Sequence, residues 1–134
     1  MNKDELILKY SFLVCSFYFV CMAIAHFFGI KLPILFVYYD IPFYAYQDKI
    51  ISFCVVTYAI FFFGAYQNLS IAPYAILSMI ATVLGLSLIN FSDALKSVLD
   101  GGTTTFYWLQ TGMIASILLW LLVFYLRTKK SNAK

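Results

Sequence analysis

The chain has 134 residues, of which 63% are hydrophobic, 20% are aromatic and only 11% are charged, and its formal net charge is +3. A domain of this size with so few charges would be insoluble in water, so the composition indicates an integral membrane protein. Four membrane spans leave only two short tails and three loops. That excludes a soluble catalytic domain and a module that binds nucleic acid.

Four apolar stretches without any Asp, Glu, Lys or Arg lie at about residues 10–30, 50–67, 71–91 and 105–126. At about 1.5 Å per residue, each can cross a hydrocarbon core of about 30 Å, although the second needs help from its flanks. The sequence therefore predicts one all-α domain over residues 1–134, a bundle of four transmembrane helices.

The basic residues predict the orientation of the bundle. Most of them precede the first span or follow the last: Lys3, Lys9, Arg127, Lys129, Lys130 and Lys134. Because basic tails and loops stay on the cytoplasmic side, both termini are expected to be cytoplasmic. We expect the chain to lie in the inner (plasma) membrane of a bacterium.

The first span carries a stripe of polar and polarisable residues. Ser11, Cys15, Tyr18, Met22 and His26 recur at steps of three and four, so they share one face of the helix. Such a face in a membrane helix is expected to meet protein rather than lipid. The single histidine has two interpretations: one structural hydrogen bond to a neighbouring helix, or a role as proton carrier, ligand-binding group or general base.

Other polar side chains are predicted at the same depth as His26. Ser52 lies near the start of the second span, Asn90 near the end of the third, and Gln110 and Thr111 one to two turns into the fourth. Hydroxyls can bond to a carbonyl of their own helix, but amides do so less easily. We therefore predict a polar layer of His26, Asn90 and Gln110 in the outer-leaflet half of the bundle.

The first loop is the most unusual stretch, and it reads PILFVYYDIPFYAYQDK over residues 33–49. Its two prolines exclude one long uninterrupted helix. Tyrosines at this density are typical of a membrane interface, so one interpretation is an interfacial anchor. The other is a lid over the polar layer, with Tyr44 among its aromatic residues and Asp40 and Asp48 at its rim.

The three cysteines, Cys15, Cys21 and Cys54, all fall within spans and have no C-x-x-C spacing. The pattern favours small apolar core residues over a disulfide, a metal site or a redox centre.

Small residues predict close helix packing in the third and fourth spans. Ala75, Ser78, Thr82 and Gly85 share one stripe, and Gly112 precedes Ser116 by four residues. The stripe is expected to face another helix of the bundle or a second copy of the chain.

The third loop, residues 92–102, predicts a short helix on the outer surface. Ser92 or Asp93 can cap its start, and Gly101 and Gly102 can end it before the last span.

The favoured function is that of an accessory or ligand-binding membrane subunit, because no segment carries a catalytic motif. The expected ligand is a lipid or an amphipathic small molecule such as a quinone or a pigment. Expected partners are the lipid bilayer and a second copy or a larger membrane complex, but not nucleic acid; the sequence assigns neither a cofactor nor a metal. The predicted ligand-binding residues are His26, Asn90, Gln110, Tyr44, Asp40 and Asp48.

Two alternatives stay open. A small oligomeric transporter or channel has the helix count of small multidrug exporters, but this chain lacks their membrane-embedded glutamate. A membrane enzyme acting on lipid would use His26 as a base with Asp40 or Asp48 assisting. An enzyme is the least favoured interpretation, because the single histidine has no second catalytic motif beside it.

Overall fold

The structure is a computed structural model that describes residues 2–36 and 42–132. Its helices are α1 (Lys3–Phe28), α2 (Ala45–Gln67), α3 (Ala72–Phe91), α4 (Asp93–Leu99) and α5 (Thr105–Asn132), with a 3-10 turn at Leu69–Ile71. The described part of the chain has no β-strand, and its one isolated bridge joins Leu32 and Phe36. The all-helical prediction is confirmed for these residues.

Four segments are long and apolar enough to cross a membrane: α1, α2, α3 together with the 3-10 turn before it, and α5. They contain 23–28 residues each. At about 1.5 Å per residue they extend beyond a hydrocarbon core of about 30 Å. The chain is therefore a membrane protein with four candidate transmembrane helices, as predicted.

Two helices begin earlier than the apolar stretches predict. α1 begins at Lys3 because Asn2 and Glu5 form a capping box: Glu5 N–H donates to Asn2 Oδ1 (2.7 Å), and Asn2 N–H donates to Glu5 Oε2 (3.3 Å). α2 begins at Ala45, five residues before the predicted span, so Asp48 lies in its first turn. Both helices thus begin outside their apolar stretches, and the start of α1 follows from its capping box.

α1 and α5 form the centre of the bundle. α1 has its most extensive contact with α2, and α5 contacts both α3 and α1. Phe12 of α1 and Phe62 of α2 are fully buried and meet edge to face, with ring centroids 5.8 Å apart. The Ser16 hydroxyl donates to the Ala59 carbonyl (2.7 Å), which adds a hydrogen bond between the two helices. Dispersion and such bonds are what hold membrane helices together.

The two described ends of the chain lie at the same end of the bundle, which we call the terminal end. Arg127 Nε of α5 contacts Asp4 Oδ2 of α1 at 3.1 Å. The opposite end, where α1 ends at Phe28 and the first and third loops lie, is called the loop end.

The small-residue stripe of α3 is not a close helix contact along its whole length. Ala75 is buried in the core, but a β-carbon built on Gly85 would meet no atom of the described residues within 4 Å. The same is true of Gly112. Within one copy of the described chain these two glycines do not pack on another helix, because the buried face of α3 is built mainly from Ala72, Ala75, Ile76 and Met79. Their contact with a second copy stays a prediction.

The cysteines also differ from one another in burial. Cys15 is buried and Cys21 is half-buried, whereas Cys54 is exposed on the surface of α2. The expectation that all three are core residues is therefore wrong for Cys54.

The third loop contains the predicted short helix, α4. The Ser92 hydroxyl caps it by accepting from Leu95 N–H (3.3 Å), as predicted. At its end Asp100 takes the left-handed conformation (φ 46°), and Gly101 follows with φ 86°. Leu95 and Leu99 are buried and pack near Tyr107 of α5. The placement of this helix at a membrane interface stays a prediction.

Candidate ligand-binding site

A cavity of about 440 Å³ lies at the loop end, between α1, α2, α3 and α5. Its walls are mostly apolar and include Phe19, Met22, Ile51, Leu86 and Ile114. Its polar lining residues are His26, Tyr44, Gln47, Asp48, Asn90 and Gln110, together with Thr82 and Tyr107. Apolar walls with a few converging polar groups are typical of small-molecule sites.

The central polar feature is a pair between α1 and α2. His26 Nδ1 lies 3.2 Å from Asp48 Oδ1, and the two side chains are only 12% and 11% exposed. The other carboxylate oxygen, Oδ2, accepts a hydrogen bond from Tyr44 N–H (3.1 Å). The carboxylate is thus held by the start of α2, and it fixes the orientation of the imidazole. A proton on Nδ1 that is donated to Asp48 places the acceptor lone pair on Nε2.

A second polar connection joins α3 and α5. Asn90 is 5% exposed, and its Nδ2 donates to Thr111 Oγ1 (2.9 Å). The Thr111 hydroxyl in turn donates to the carbonyl of Tyr107 (2.9 Å). The amide therefore has a partner on the neighbouring helix, and its position in the cavity wall is fixed.

Gln110 is directed to the first loop. Its Nε2 donates to the Leu35 carbonyl (3.3 Å), which also accepts from the Tyr18 hydroxyl (3.0 Å). Leu32 and Phe36 exchange two backbone hydrogen bonds around Ile34, whose φ is 72°. This tight turn is thereby attached to both α1 and α5, beside the cavity.

The last described residues before α2 are also attached to the bundle. Gly29 ends α1 in the left-handed conformation (φ 67°), and the Phe43 ring lies against it. A β-carbon at Gly29 would approach Phe43 Cδ2 to 2.9 Å, so only glycine suits both this φ and this contact. Pro42 and Tyr44, on either side of Phe43, line the cavity.

The structure brings five of the six predicted site residues to one cavity: His26, Asn90, Gln110, Tyr44 and Asp48. The sixth, Asp40, and its neighbours Tyr38 and Tyr39 lie outside the described residues. That these residues bind a ligand stays a prediction.

Asp48 differs from its prediction in position. It was expected at the rim of a loop, but it is buried in the first turn of α2 and paired with His26. Gln47, Thr82 and Tyr107 also line the cavity, although they are not among the predicted site residues. A predicted α2 that begins one turn before its apolar stretch would place both Gln47 and Asp48 at the depth of His26.

A larger cavity, about 720 Å³, lies between α1 and α5 but is almost entirely apolar. Its few polar groups include Ser11, whose hydroxyl accepts a hydrogen bond from Trp120 Nε1 (2.9 Å). No side chain that lines it is charged. It offers mainly hydrocarbon contact, without a charged group that would orient a headgroup.

Among the described residues, no three His, Cys, Asp or Glu side chains are close enough together to hold a metal ion. Comparisons of the chain with protein-family models, with curated proteins and with solved structures found no match. The function is therefore argued from the geometry of the cavity.

Proposed function

We propose that this protein is a small ligand-binding membrane subunit that holds a lipid or an amphipathic small molecule in the loop-end cavity. The observation that carries the proposal is the buried His26–Asp48 pair in a chamber whose walls are mostly apolar. Membrane helices that need only to pack on one another do not require such groups, because buried polar atoms are costly unless they have partners.

The size and chemistry of the cavity favour an amphipathic molecule. A volume of about 440 Å³ lies within the range of about 300–1,000 Å³ found for small-molecule sites. Side chains of Phe19, Ile51 and Leu86 provide apolar walls for a ring or the first part of an acyl chain. The amides of Asn90 and Gln110 can donate to oxygen atoms on a polar head, as a quinone or a lipid headgroup carries, and the imidazole, whose Nδ1–H is directed to Asp48, can accept from a hydroxyl or an ammonium group.

A second candidate function is proton-dependent chemistry on a lipid, with His26 as the base. The contact between Asp48 and His26 Nδ1 favours it, because a carboxylate at one ring nitrogen orients the other toward a substrate. Ligand binding is the simpler function, and any chemistry would also require it.

We further propose that both termini are cytoplasmic and that the chain lies in a bacterial inner membrane. Support comes from the basic residues near the terminal end: Lys3, Lys9, Arg127, Lys129 and Lys130. Basic flanks stay in the cytoplasm, so the cavity at the loop end would lie in the outer-leaflet half of the bundle.

This topology predicts opposite labelling of the two ends of the bundle. Asp100→Cys and Asn132→Cys are introduced singly into a variant without the three native cysteines, and intact spheroplasts are treated with a membrane-impermeant maleimide. We expect the reagent to label the Asp100→Cys variant and to reach the Asn132→Cys variant only after the membrane is permeabilised. Labelling of both variants in intact spheroplasts would contradict the topology.

Site-specific photo-crosslinking tests the binding function. A benzophenone amino acid replaces Ile51 in the cavity wall or, as a control, Leu84 on the exposed face of α3. We expect the probe at position 51 to capture one predominant compound and the probe at position 84 to capture membrane lipids in proportion to their abundance. Capture of the same lipid mixture at both positions would contradict a specific site.

A further inference from the structure

A second polar cavity, of about 450 Å³, lies at the terminal end, roughly 30 Å from the candidate site along α1. It is bounded by the start of α1, the 3-10 turn and the end of α5. Glu5, Thr128, Lys129 and Asn132 contribute polar side chains, and Leu8 and Leu69 contribute apolar ones. Binding in this cavity does not depend on the function proposed for the loop-end cavity.

Thr128 is the clearest sign that something binds in this cavity. The residue is only 8% exposed, and its hydroxyl is buried without a hydrogen-bond partner among the described residues. Other hydroxyls of α5 do bond to their own helix: Thr111 donates to the Tyr107 carbonyl and Ser116 to the Gly112 carbonyl. A buried hydroxyl without a partner is destabilising, so an external acceptor or donor at this position would be stabilising.

The charges of the cavity indicate what kind of group it accepts. Among the described residues that line it, Glu5 supplies one carboxylate and Lys129 one ammonium group, so their charges cancel. Arg127 and Asp4, which lie nearby, are already paired with each other at 3.1 Å. An anionic headgroup would be repelled by Glu5, and a cationic one by Lys129. A zwitterionic group with both charges a few ångströms apart is complementary to the pair.

We propose that this cavity binds the phosphoethanolamine headgroup of a phospholipid. The ligand ammonium donates to Glu5, and its phosphate accepts from Lys129 and from the Asn132 amide. The Thr128 hydroxyl is enclosed, and a rotation about Cα–Cβ turns it to the phosphate. Leu8 and Leu69 provide an apolar surface for the first part of the acyl chains. Glu5 can serve in this way because its capping bond to Asn2 N–H uses only Oε2. A choline headgroup fits less well, since its quaternary nitrogen has no N–H to donate.

Binding is measured on the full-length protein, delipidated in detergent, as the shift in unfolding temperature on titration with phosphatidylethanolamine, phosphatidylcholine or phosphatidylglycerol. We expect phosphatidylethanolamine to bind about tenfold or more tightly than the other two, the difference of one charge-assisted hydrogen bond. Glu5→Gln, which retains the capping box, and Lys129→Gln should each remove this preference. Lys130→Gln is the matched control, because Lys130 lines a different cavity with Asp4 and Arg127, and it should keep the preference.

Thr128→Val gives an independent readout. It preserves the shape of the side chain and removes the hydroxyl, so it should raise the unfolding temperature without lipid and weaken phosphatidylethanolamine binding. Equal binding of the three lipids, or a preference that survives Lys129→Gln, would overturn the proposed site. A Thr128→Val variant that is less stable without lipid would also overturn it. Soluble phosphoethanolamine that binds as tightly as the lipid would overturn the assignment to a membrane lipid.

Discussion

Replacing Asp48 with Ala is expected to lower the free energy of unfolding by about 1.5–3 kcal/mol, the range for a hydrogen bond to a charged group. Two contacts are lost at once. His26 Nδ1 loses its partner at 3.2 Å, and Tyr44 N–H at the start of α2 loses its acceptor at 3.1 Å. Little water reaches the pair, so the loss is poorly compensated. Denaturant titration in detergent micelles measures the effect.

Asp93→Ala is the matched control for this prediction. Asp93 pairs with Lys96 at 2.9 Å, but its side chain is 97% exposed. Exposed pairs contribute about 0–1 kcal/mol, so this variant should remain close to the wild type. A double-mutant cycle of Asp48→Ala with His26→Ala should also give a coupling energy of about 0.5–3 kcal/mol. Equal losses for Asp48→Ala and Asp93→Ala, or a coupling energy near zero, would show that the pair does not stabilise the fold.

The spans and the depth of the polar layer could be predicted from sequence because both follow from simple periodicities. Hydropathy locates the four apolar stretches, and a rise of about 1.5 Å per residue places His26, Asn90 and Gln110 at one level. All three line the loop-end cavity. Depth alone, however, does not predict the partners of these side chains. Gln110 bonds to the Leu35 carbonyl in a loop, and Asn90 bonds to Thr111.

Hydropathy does not predict the position of Asp48. An apolar stretch is bounded by the first charged residue, whereas a helix can include that residue and continue past it. α2 begins about one turn before its apolar stretch, and the carboxylate of Asp48 accepts from Tyr44 N–H at the helix start. No side-chain cap marks this start, because the side chain of Tyr44 at the N-cap makes no capping hydrogen bond. The start of α1 differs, since Asn2 and Glu5 have the residue types and spacing of a capping box.

The small residues of α3 illustrate a different limit. A stripe of Ala, Ser, Thr and Gly indicates that a helix can approach a neighbour, but not which neighbour is present. The hydroxyls of Ser78 and Thr82 bond to carbonyls of their own helix, and the space around Gly85 is open among the described residues. The buried face of α3 instead carries larger side chains such as Ile76 and Met79 as well as alanines. Which helix such side chains meet depends on the whole bundle.

His26→Phe is expected to reduce ligand occupancy by about tenfold or more, because the loss of one hydrogen bond to a polar head costs about 1–3 kcal/mol. The substitution keeps an aromatic ring in the cavity wall and removes both ring nitrogens. Trp120→Phe is the control, since it breaks an interhelical hydrogen bond to Ser11 that lies outside the loop-end cavity. Unfolding temperatures of both variants separate loss of binding from loss of fold.

Native mass spectrometry of the protein extracted from its own membranes, in wild-type, His26→Phe and Trp120→Phe forms, tests the binding function most directly. A lipid or small molecule bound at one per chain in the wild type and in Trp120→Phe, and lost from a folded His26→Phe variant, is the predicted result. A wild-type protein without any bound molecule, or one whose bound molecule is retained equally in His26→Phe, would contradict the account.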